Sequence, residues 1–258
     1  MFFTIRIYIY ATFLVIGSLF KYPKAKKLFN QGTNKHASDI FETPKVISRK
    51  VIKRTGSKVE VKGRENLPEG AVLFVSNHQG LFDILVLLGY LDKPTGFIAK
   101  KEIERIPIIN KWMTLIYCIF MDRKDRRQSV QTIHQGIQFL KDGHSLVVFP
   151  EGTRSRGKKL NTFKSGSLNL ATRSKVPIVP LAIDGTYKML EESNGKVRAS
   201  SVRLIIEKPI QPKDYQHMTK NELSSLLKEI IGTSLNEHKE KGVGNFKNTV
   251  QSDQPEPI

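Results

Sequence analysis

The chain has 258 residues, and its 42 Lys and Arg against 24 Asp and Glu give a formal net charge of +18 at pH 7. This excess indicates an anionic partner: a nucleic acid, a membrane surface or a phosphorylated substrate. The length allows one large domain or two small ones. The single cysteine, Cys118, excludes an internal disulfide, and its apolar neighbours favour a core thiol over a nucleophile.

Residues 1–20 are apolar apart from Arg6 and several hydroxyl-bearing side chains. They lack the basic start and the small-residue cleavage site of a removable signal peptide. Only about fourteen of them are strongly apolar, fewer than the roughly twenty that a bilayer span needs. If they do span, the lysines that follow place the remaining chain on the cytoplasmic side. A helix embedded in one leaflet fits equally well. The expected location is the cytoplasmic face of the cell membrane, through a peripheral or monotopic attachment or a single N-terminal span.

A further helix is predicted to begin at Thr43 and Pro44, a capping residue followed by proline at the first helical position. Beyond Pro44, apolar residues occupy one helical face and basic residues the remainder. A basic amphipathic helix beside an apolar N-terminus is typical of a membrane-surface element, and packing on the domain is an equally good alternative. Residues 1–57 are therefore predicted to form a membrane-associating helical segment.

Apolar runs and helical patterns alternate over residues 58–241, which predicts one α/β domain with a largely parallel central sheet flanked by helices. The predicted strands are 59–62, 71–76, 96–99, 118–121, 145–149, 178–183 and 202–206. The predicted helices are 81–91, 108–114, 126–141, 166–173 and 220–237. The polar residues 242–258 are predicted to be a disordered tail.

His78 and Asp83 lie between a predicted strand and a predicted helix. Open α/β sheets bind ligands beyond the carboxyl ends of their strands, and His78 follows such an end. With Gly80 permitting the turn, His78 lies in the loop and Asp83 in the first helical turn, where the helix dipole favours an ionised carboxylate. This arrangement indicates a base and its orienting acid. The alternative is a capping histidine beside a routine first-turn acid.

Further polar side chains follow two other predicted strands: Arg123 after one, and Glu151 and Arg154 after another. If these strand ends share one sheet, the side chains converge with His78 in one crevice. Two guanidinium groups suit a phosphate monoester, although each arginine alone is as readily explained by a surface ion pair. The apolar run 176–181 is predicted to supply a wall of the same crevice.

Four short sequence blocks follow one another here: Asn-His-x4-Asp at 77–83, Phe-x-x-Arg at 120–123, Pro-Glu-Gly-Thr-Arg-Ser at 150–155 and Val-Pro-Ile-Val-Pro at 176–180. In this order and spacing they resemble the blocks of the glycerolipid acyltransferases, specifically the 1-acyl-glycerol-3-phosphate (lysophosphatidate) acyltransferases. The combination is highly specific, whereas a His-x4-Asp pattern alone is common by chance.

The resemblance implies transfer of a fatty acyl group from an acyl thioester, acyl-CoA or acyl-carrier protein, to the sn-2 hydroxyl of 1-acyl-glycerol 3-phosphate, giving phosphatidate. It implies His78 as the base and Asp83 as its orienting acid. The substrate-binding positions that it implies are Arg123, Glu151, Gly152, Thr153 and Arg154. We expect no cofactor and no metal, because a thiolate leaves without strong acid assistance. Backbone amides near Gly80 or Gly152 are candidates for the oxyanion hole.

Two alternatives remain at this point. The same chemistry would serve another acceptor, glycerol 3-phosphate or a different lysophospholipid. A non-catalytic protein that binds a membrane surface or a nucleic acid is an alternative of another class. The sequence carries no zinc, helix-turn-helix or aromatic RNA-binding signature, so nucleic acid is not an expected partner. The expected partners are lysophosphatidate, the thioester donor and the membrane surface.

Overall fold

A seven-stranded sheet runs through the computed structural model, which describes residues 1–32, 34–122 and 124–243. Its strands are β1 (Lys58–Lys62), β2 (Leu73–Ser76), β3 (Thr95–Lys100), β4 (Ile119–Met121), β5 (Ser145–Val148), β6 (Ile178–Asp184) and β7 (Ser201–Ile206). Across the sheet their order is β1-β7-β6-β2-β5-β3-β4. Neighbouring strands are parallel except β6 and β7, so the predicted largely parallel sheet is confirmed.

Helices cover both faces of this sheet. In chain order they are α1 (Phe2–Gly17), α2 (Tyr22–Phe29), α3 (Ala37–Arg54), α4 (Phe82–Tyr90), α5 (Ile109–Leu115), α6 (Arg126–Lys141), α7 (Asn169–Ser174), α8 (Pro212–Tyr215) and α9 (Lys220–Val243). Residues of α1 to α5 share one hydrophobic cluster with one face of the sheet, and residues of α6 to α9 share a second cluster with the other face. The result is a three-layered α/β domain.

The central strands are buried on both faces. In β2, Phe74 belongs to the cluster beneath α1 to α5, whereas its neighbours Leu73 and Val75 belong to the cluster beneath α6 to α9. Successive side chains of a strand point to opposite faces. A strand between two helical layers therefore needs apolar residues at every position, which explains the continuous apolar runs in the sequence.

The predicted helix start at Thr43 and Pro44 is wrong. Helix α3 begins at Ala37, and Pro44 lies in its interior. Proline lacks the N–H that would bond to the preceding turn. Burial of Ile40 and Phe41 in the hydrophobic cluster holds that turn in place despite the missing bond.

Helix α3 packs on the domain, and four of its five Lys and Arg residues divide into two groups. Lys45 and Arg49 form ion pairs with Asp92, at 2.9 and 2.7 Å. Lys50 and Lys53 are exposed. The helix therefore contributes to the core and still presents positive charge at the surface.

Helix α1 continues through a 3-10 turn, and Phe2–Phe20 is long and apolar enough to cross a membrane by length and composition. One side of it packs on the domain through the buried Ile7 and the partly buried Ala11 and Leu14. Ser18, one turn further on, accepts a hydrogen bond of 2.7 Å from the Trp112 indole. The opposite side exposes a row of large apolar residues: Phe2, Ile5, Ile9, Phe13, Ile16 and Phe20.

At the other end of the chain, the helix predicted over residues 220–237 extends as α9 to Val243. The first two residues of the predicted tail, 242 and 243, belong to this helix. Residues 244–258 lie outside the described part of the chain.

Candidate active site

The loop between β2 and α4 places the imidazole of His78 against the carboxylate of Asp83. Nδ1 of His78 lies 2.7 Å from Oδ2 of Asp83. The Asp83 side chain is 0% exposed, and that of His78 is 16% exposed. An ionised carboxylate can only accept hydrogen bonds, so Nδ1 carries the hydrogen of this pair. Nε2 is then the nitrogen that can accept a proton.

Two further groups hold the Asp83 carboxylate. The backbone N–H of Gly80 donates to Oδ2 at 2.9 Å, and the Thr186 hydroxyl donates to Oδ1. Thr186 follows the carboxyl end of β6 and is fully buried. Sequence reasoning missed it. Its position just past the end of an apolar strand was the signal that could have indicated it.

Asn77 and Phe149 fix the rest of the loop. The Asn77 side chain donates to the carbonyl of Ile183 at 2.9 Å and accepts from the amide of Ile183 at 2.8 Å. It therefore bonds to β6 as a neighbouring strand would. The Phe149 ring stacks on the His78 imidazole, with ring centroids 4.1 Å apart. These contacts leave the imidazole little freedom to rotate.

Glu151, which the resemblance implies as a substrate-binding residue, is 2% exposed. One carboxylate oxygen accepts from the His78 backbone N–H at 2.7 Å, and the other accepts from that of Asn161 at 3.0 Å. Burial raises the pKa of Glu151 above its usual range, against the opposing effect of these two amides. The carboxylate thus ties the loop between β2 and α4 (residues 77–81, the base loop) to the segment after β5. A direct contact with substrate would require one of these bonds to break.

Gly152, Thr153 and Arg154 form the turn that follows β5. Gly152 has a φ of 70°, in the left-handed region that favours glycine. Thr153 and Arg154 are exposed. The next residue, Ser155, donates its backbone N–H to the carbonyl of His78 at 2.8 Å, so the turn is bonded directly to the base loop.

The guanidinium of Arg154 is bound by a residue that sequence reasoning missed. Nη1 of Arg154 donates to Oε1 of Glu191 at 3.0 Å. Glu191 lies in the connection between β6 and β7, outside the four sequence blocks. No local pattern in the sequence distinguishes it from the neighbouring Glu192.

The structure describes only one of the two remaining elements of the predicted crevice. Arg123 lies outside the described residues, and the strand before it, β4, is at the sheet edge, separated from β5 by β3. The predicted apolar wall at 176–181 is wrong. Its residues Ile178, Val179 and Leu181 are 0% exposed and form the first part of β6, at the centre of the sheet. The run is apolar because this strand is buried on both faces.

The two glycine amides nearest the predicted oxyanion hole already have acceptors. Gly80 donates to Asp83, and Gly152 donates to the carbonyl of Phe149 at 3.0 Å. In this arrangement neither amide is available to an oxyanion. Cys118 is not a nucleophile, since burial raises the pKa of its thiol to about 12.

Residues 58–184, which span β1 to β6 and the base loop, match the family model described as Acyltransferase. The carboxyl edge of the sheet, with its histidine and buried aspartate, is thus part of an acyltransferase domain. Among solved structures, the 1-acyl-sn-glycerophosphate (LPA) acyltransferase PlsC from Thermotoga maritima superposes with a TM-score of 0.81 at 29% identity. That match covers 92% of this chain and 95% of the other, so the fold is the PlsC fold.

Curated relatives give the narrower assignment. A probable 1-acyl-sn-glycerol-3-phosphate acyltransferase from Mycoplasma pneumoniae is 36% identical over 191 residues, covering 69% of this chain and 71% of that protein. A chloroplastic 1-acyl-sn-glycerol-3-phosphate acyltransferase from Arabidopsis thaliana is 39% identical over 156 residues, 59% of this chain and only 44% of that longer protein. The chain belongs to the 1-acyl-sn-glycerol-3-phosphate acyltransferase family.

Proposed function

We propose that this protein transfers a fatty acyl group from an acyl thioester to the sn-2 hydroxyl of 1-acyl-glycerol 3-phosphate and so produces phosphatidate. The observation that carries the proposal is the contact of 2.7 Å between His78 Nδ1 and the fully buried Asp83. The names of the relatives indicate 1-acyl-glycerol 3-phosphate as the acceptor. The contact with Asp83 indicates that His78 is the base that removes the proton of the acceptor hydroxyl.

A glycerol hydroxyl is a weak nucleophile until a base removes its proton during attack. In the proposed reaction, Nε2 of His78 takes this proton while the hydroxyl oxygen forms a bond to the thioester carbonyl carbon. Asp83 stabilises the resulting imidazolium. The carbon–sulfur bond then breaks, and the departing thiolate, with a thiol pKa of about 8.5, takes the proton back from His78. Atoms and charges balance without a cofactor or a metal.

The phosphate of the acceptor is assigned to Arg154 and Arg123. Arg154 uses Nη1 to bind Glu191, and a guanidinium carries further N–H groups that suit phosphate oxygens. Lys164 supplies a further cation beside this turn, because its Nζ lies 3.4 Å from the position that a Cβ on Gly152 would occupy. Gly152 and Thr153 belong to the same turn and are proposed to approach the acceptor through it.

The direct test uses the purified full-length protein in detergent micelles with lysophosphatidate and, in separate reactions, acyl-CoA or acyl-carrier protein. We expect phosphatidate and free thiol in equal amounts with at least one donor. Glycerol 3-phosphate and a neutral monoacylglycerol replace the acceptor in parallel. Transfer to glycerol 3-phosphate with none to lysophosphatidate would overturn the acceptor assignment, and absence of any thiol release would overturn the reaction.

We also propose attachment to the cytoplasmic face of the cell membrane through α1. One side of α1 is held by the domain, so a helix embedded in one leaflet fits this packing better than a span surrounded by lipid. Exposed lysines follow directly, at Lys21, Lys24 and Lys26, where they meet anionic headgroups.

Substituting exposed phenylalanines tests this attachment. Phe13→Ser together with Phe20→Ser is expected to weaken sedimentation with anionic vesicles about tenfold or more, since each substitution removes apolar surface from the lipid. Val130→Ser is the matched control, because Val130 is also exposed but lies on α6, on the opposite face of the sheet. Equal losses in both variants, or none in either, would contradict attachment through α1.

A further inference from the structure

A single oxygen of Glu191 contacts both the base loop and Arg154 in the turn after β5. Its Oε1 accepts from the backbone N–H of Leu81, in the base loop, at 2.9 Å and from Nη1 of Arg154 at 3.0 Å. The Glu191 side chain is only 5% exposed. Its other oxygen, Oε2, is buried without a hydrogen-bond partner among the described residues. Arg154 is the cationic side chain that pairs with this carboxylate.

The glycine at position 80 provides independent support for a built contact. A Cβ added to Gly80 would lie 2.4 Å from Oε2 of Glu191 and 2.8 Å from its carboxyl carbon. The backbone of Gly80 is not in the left-handed region, so its φ angle does not require glycine. The missing side chain makes room for the Glu191 carboxylate. The base loop is thus shaped to receive a residue more than a hundred positions further along the chain, Gly80 and Glu191 being 111 apart in the numbering.

We propose that Glu191 is a positioning residue that fixes the phosphate-binding guanidinium of Arg154 relative to the base loop. This inference rests on the proposed function. One acceptor molecule must present its phosphate to Arg154 and its hydroxyl to His78 at the same time. A carboxylate that binds both Arg154 and the amide of Leu81 keeps the guanidinium at a fixed distance from the base loop. Its role is to orient the acceptor and not to transfer a proton.

The test compares Glu191→Gln with the wild type in micelles. Glutamine keeps an acceptor oxygen for Leu81 but loses the negative charge that orients Arg154. We expect the KM for lysophosphatidate to rise about three- to tenfold, while kcat and the KM for the thioester stay within about twofold. Glu192→Gln is the matched control, because it removes the same charge from the exposed neighbouring position. It should leave all three constants unchanged.

A double-mutant cycle separates positioning from a general structural effect. In an Arg154→Ala background, Glu191→Gln should have no further effect on the acceptor KM, because there is no guanidinium left to orient. Gly80→Ala should reproduce the rise in acceptor KM, because its Cβ displaces Glu191. Additive losses in the cycle, or a lower acceptor KM in Glu191→Gln, would overturn the proposal. The lower KM would mean that the carboxylate competes with the phosphate.

Equilibrium binding of radiolabelled lysophosphatidate to the micellar protein gives a readout that does not depend on turnover. If the wild type transfers acyl groups and Glu191→Gln behaves like it in both assays, the positioning role falls and the proposed function stands. If the wild type binds lysophosphatidate without transferring an acyl group, weaker binding by Glu191→Gln still supports the positioning role. If the wild type neither transfers nor binds, both proposals fall.

Discussion

Asp83 is fully buried and both of its carboxylate oxygens accept hydrogen bonds, whereas the side chain of Arg154, in the adjacent loop, is 40% exposed. The contacts that orient His78 and Asp83 are all made within the protein, without a substrate. The arginine side has its anchor in Glu191 and keeps further donors facing solvent. The difference suggests a division of work: proton transfer relies on a rigid geometry, and phosphate binding relies on charge that the substrate itself covers.

The largest effect is expected on the base side. His78→Ala should lower kcat about 10²- to 10⁴-fold, because the hydroxyl proton then has no acceptor. The acceptor KM should change little. Initial rates of thiol release, with circular dichroism as a check on folding, measure this. Near-normal turnover in a folded variant would show that the buried pair is not the catalytic base.

Asp83→Asn should have the next largest effect, a loss in kcat on the order of 10²- to 10³-fold. An asparagine that turns its NH₂ toward His78 makes Nδ1 the acceptor and puts the hydrogen on Nε2, where the base must be free. Pre-steady-state and steady-state rates on lysophosphatidate report the loss. A loss confined to KM would place Asp83 with the binding residues and would remove the contrast between the two sides.

Arg154→Lys should have a smaller effect of a different kind. Loss of a charge-assisted contact corresponds to about ten- to a hundredfold, here in the KM for lysophosphatidate. The variant should also discriminate less against an acceptor whose phosphate is replaced by a hydroxyl, because lysine is only a point charge. Arg156→Lys, at an exposed site two residues on, serves as the control. If only the thioester affinity falls, Arg154 binds the donor, and Lys164 becomes the leading candidate for the acceptor phosphate.

Thr186→Val should give the smallest effect, about a three- to tenfold lower kcat, and should lower the free energy of unfolding by about 1–3 kcal/mol. Valine keeps the shape but removes the hydroxyl that donates to Asp83. Thr186→Ser retains that donor and should recover most of the activity. Chemical denaturation and kcat, measured on both variants, check this. Equal losses in the serine and valine variants would indicate packing rather than hydrogen bonding.

The same contrast explains what could be predicted from the sequence. His78 and Asp83 are five positions apart, so strand, turn and helix signals within one short stretch were enough to bring them together. Thr186 lies 103 positions from Asp83, and Glu191 lies 110 positions from Leu81. Contacts of that separation depend on which strands become neighbours in the sheet, and no local pattern encodes this order.

The parallel sheet was predictable for a related reason, since strands buried on both faces leave continuous apolar runs. Pro44 shows the opposite case. Local chemistry favours a helix start there, and the burial of Ile40 and Phe41 overrides it. The start of this helix and the contacts of Glu191 both depend on residues that are distant in the sequence. Those residues come together only in the folded domain.

The side chain of Asn77 donates one hydrogen bond to the backbone of Ile183 and accepts another from it. These two bonds attach the loop to β6 in the way that a neighbouring strand would be attached. A loop attached in this way does not fray independently of the strand to which it is bonded. We therefore expect the segment that carries His78 to open less readily than a surface loop without such bonds. Movement of the imidazole away from its position would require these two bonds to the central sheet to break or stretch, so hydrogen exchange of the His78 amide should be slower than that of an exposed loop.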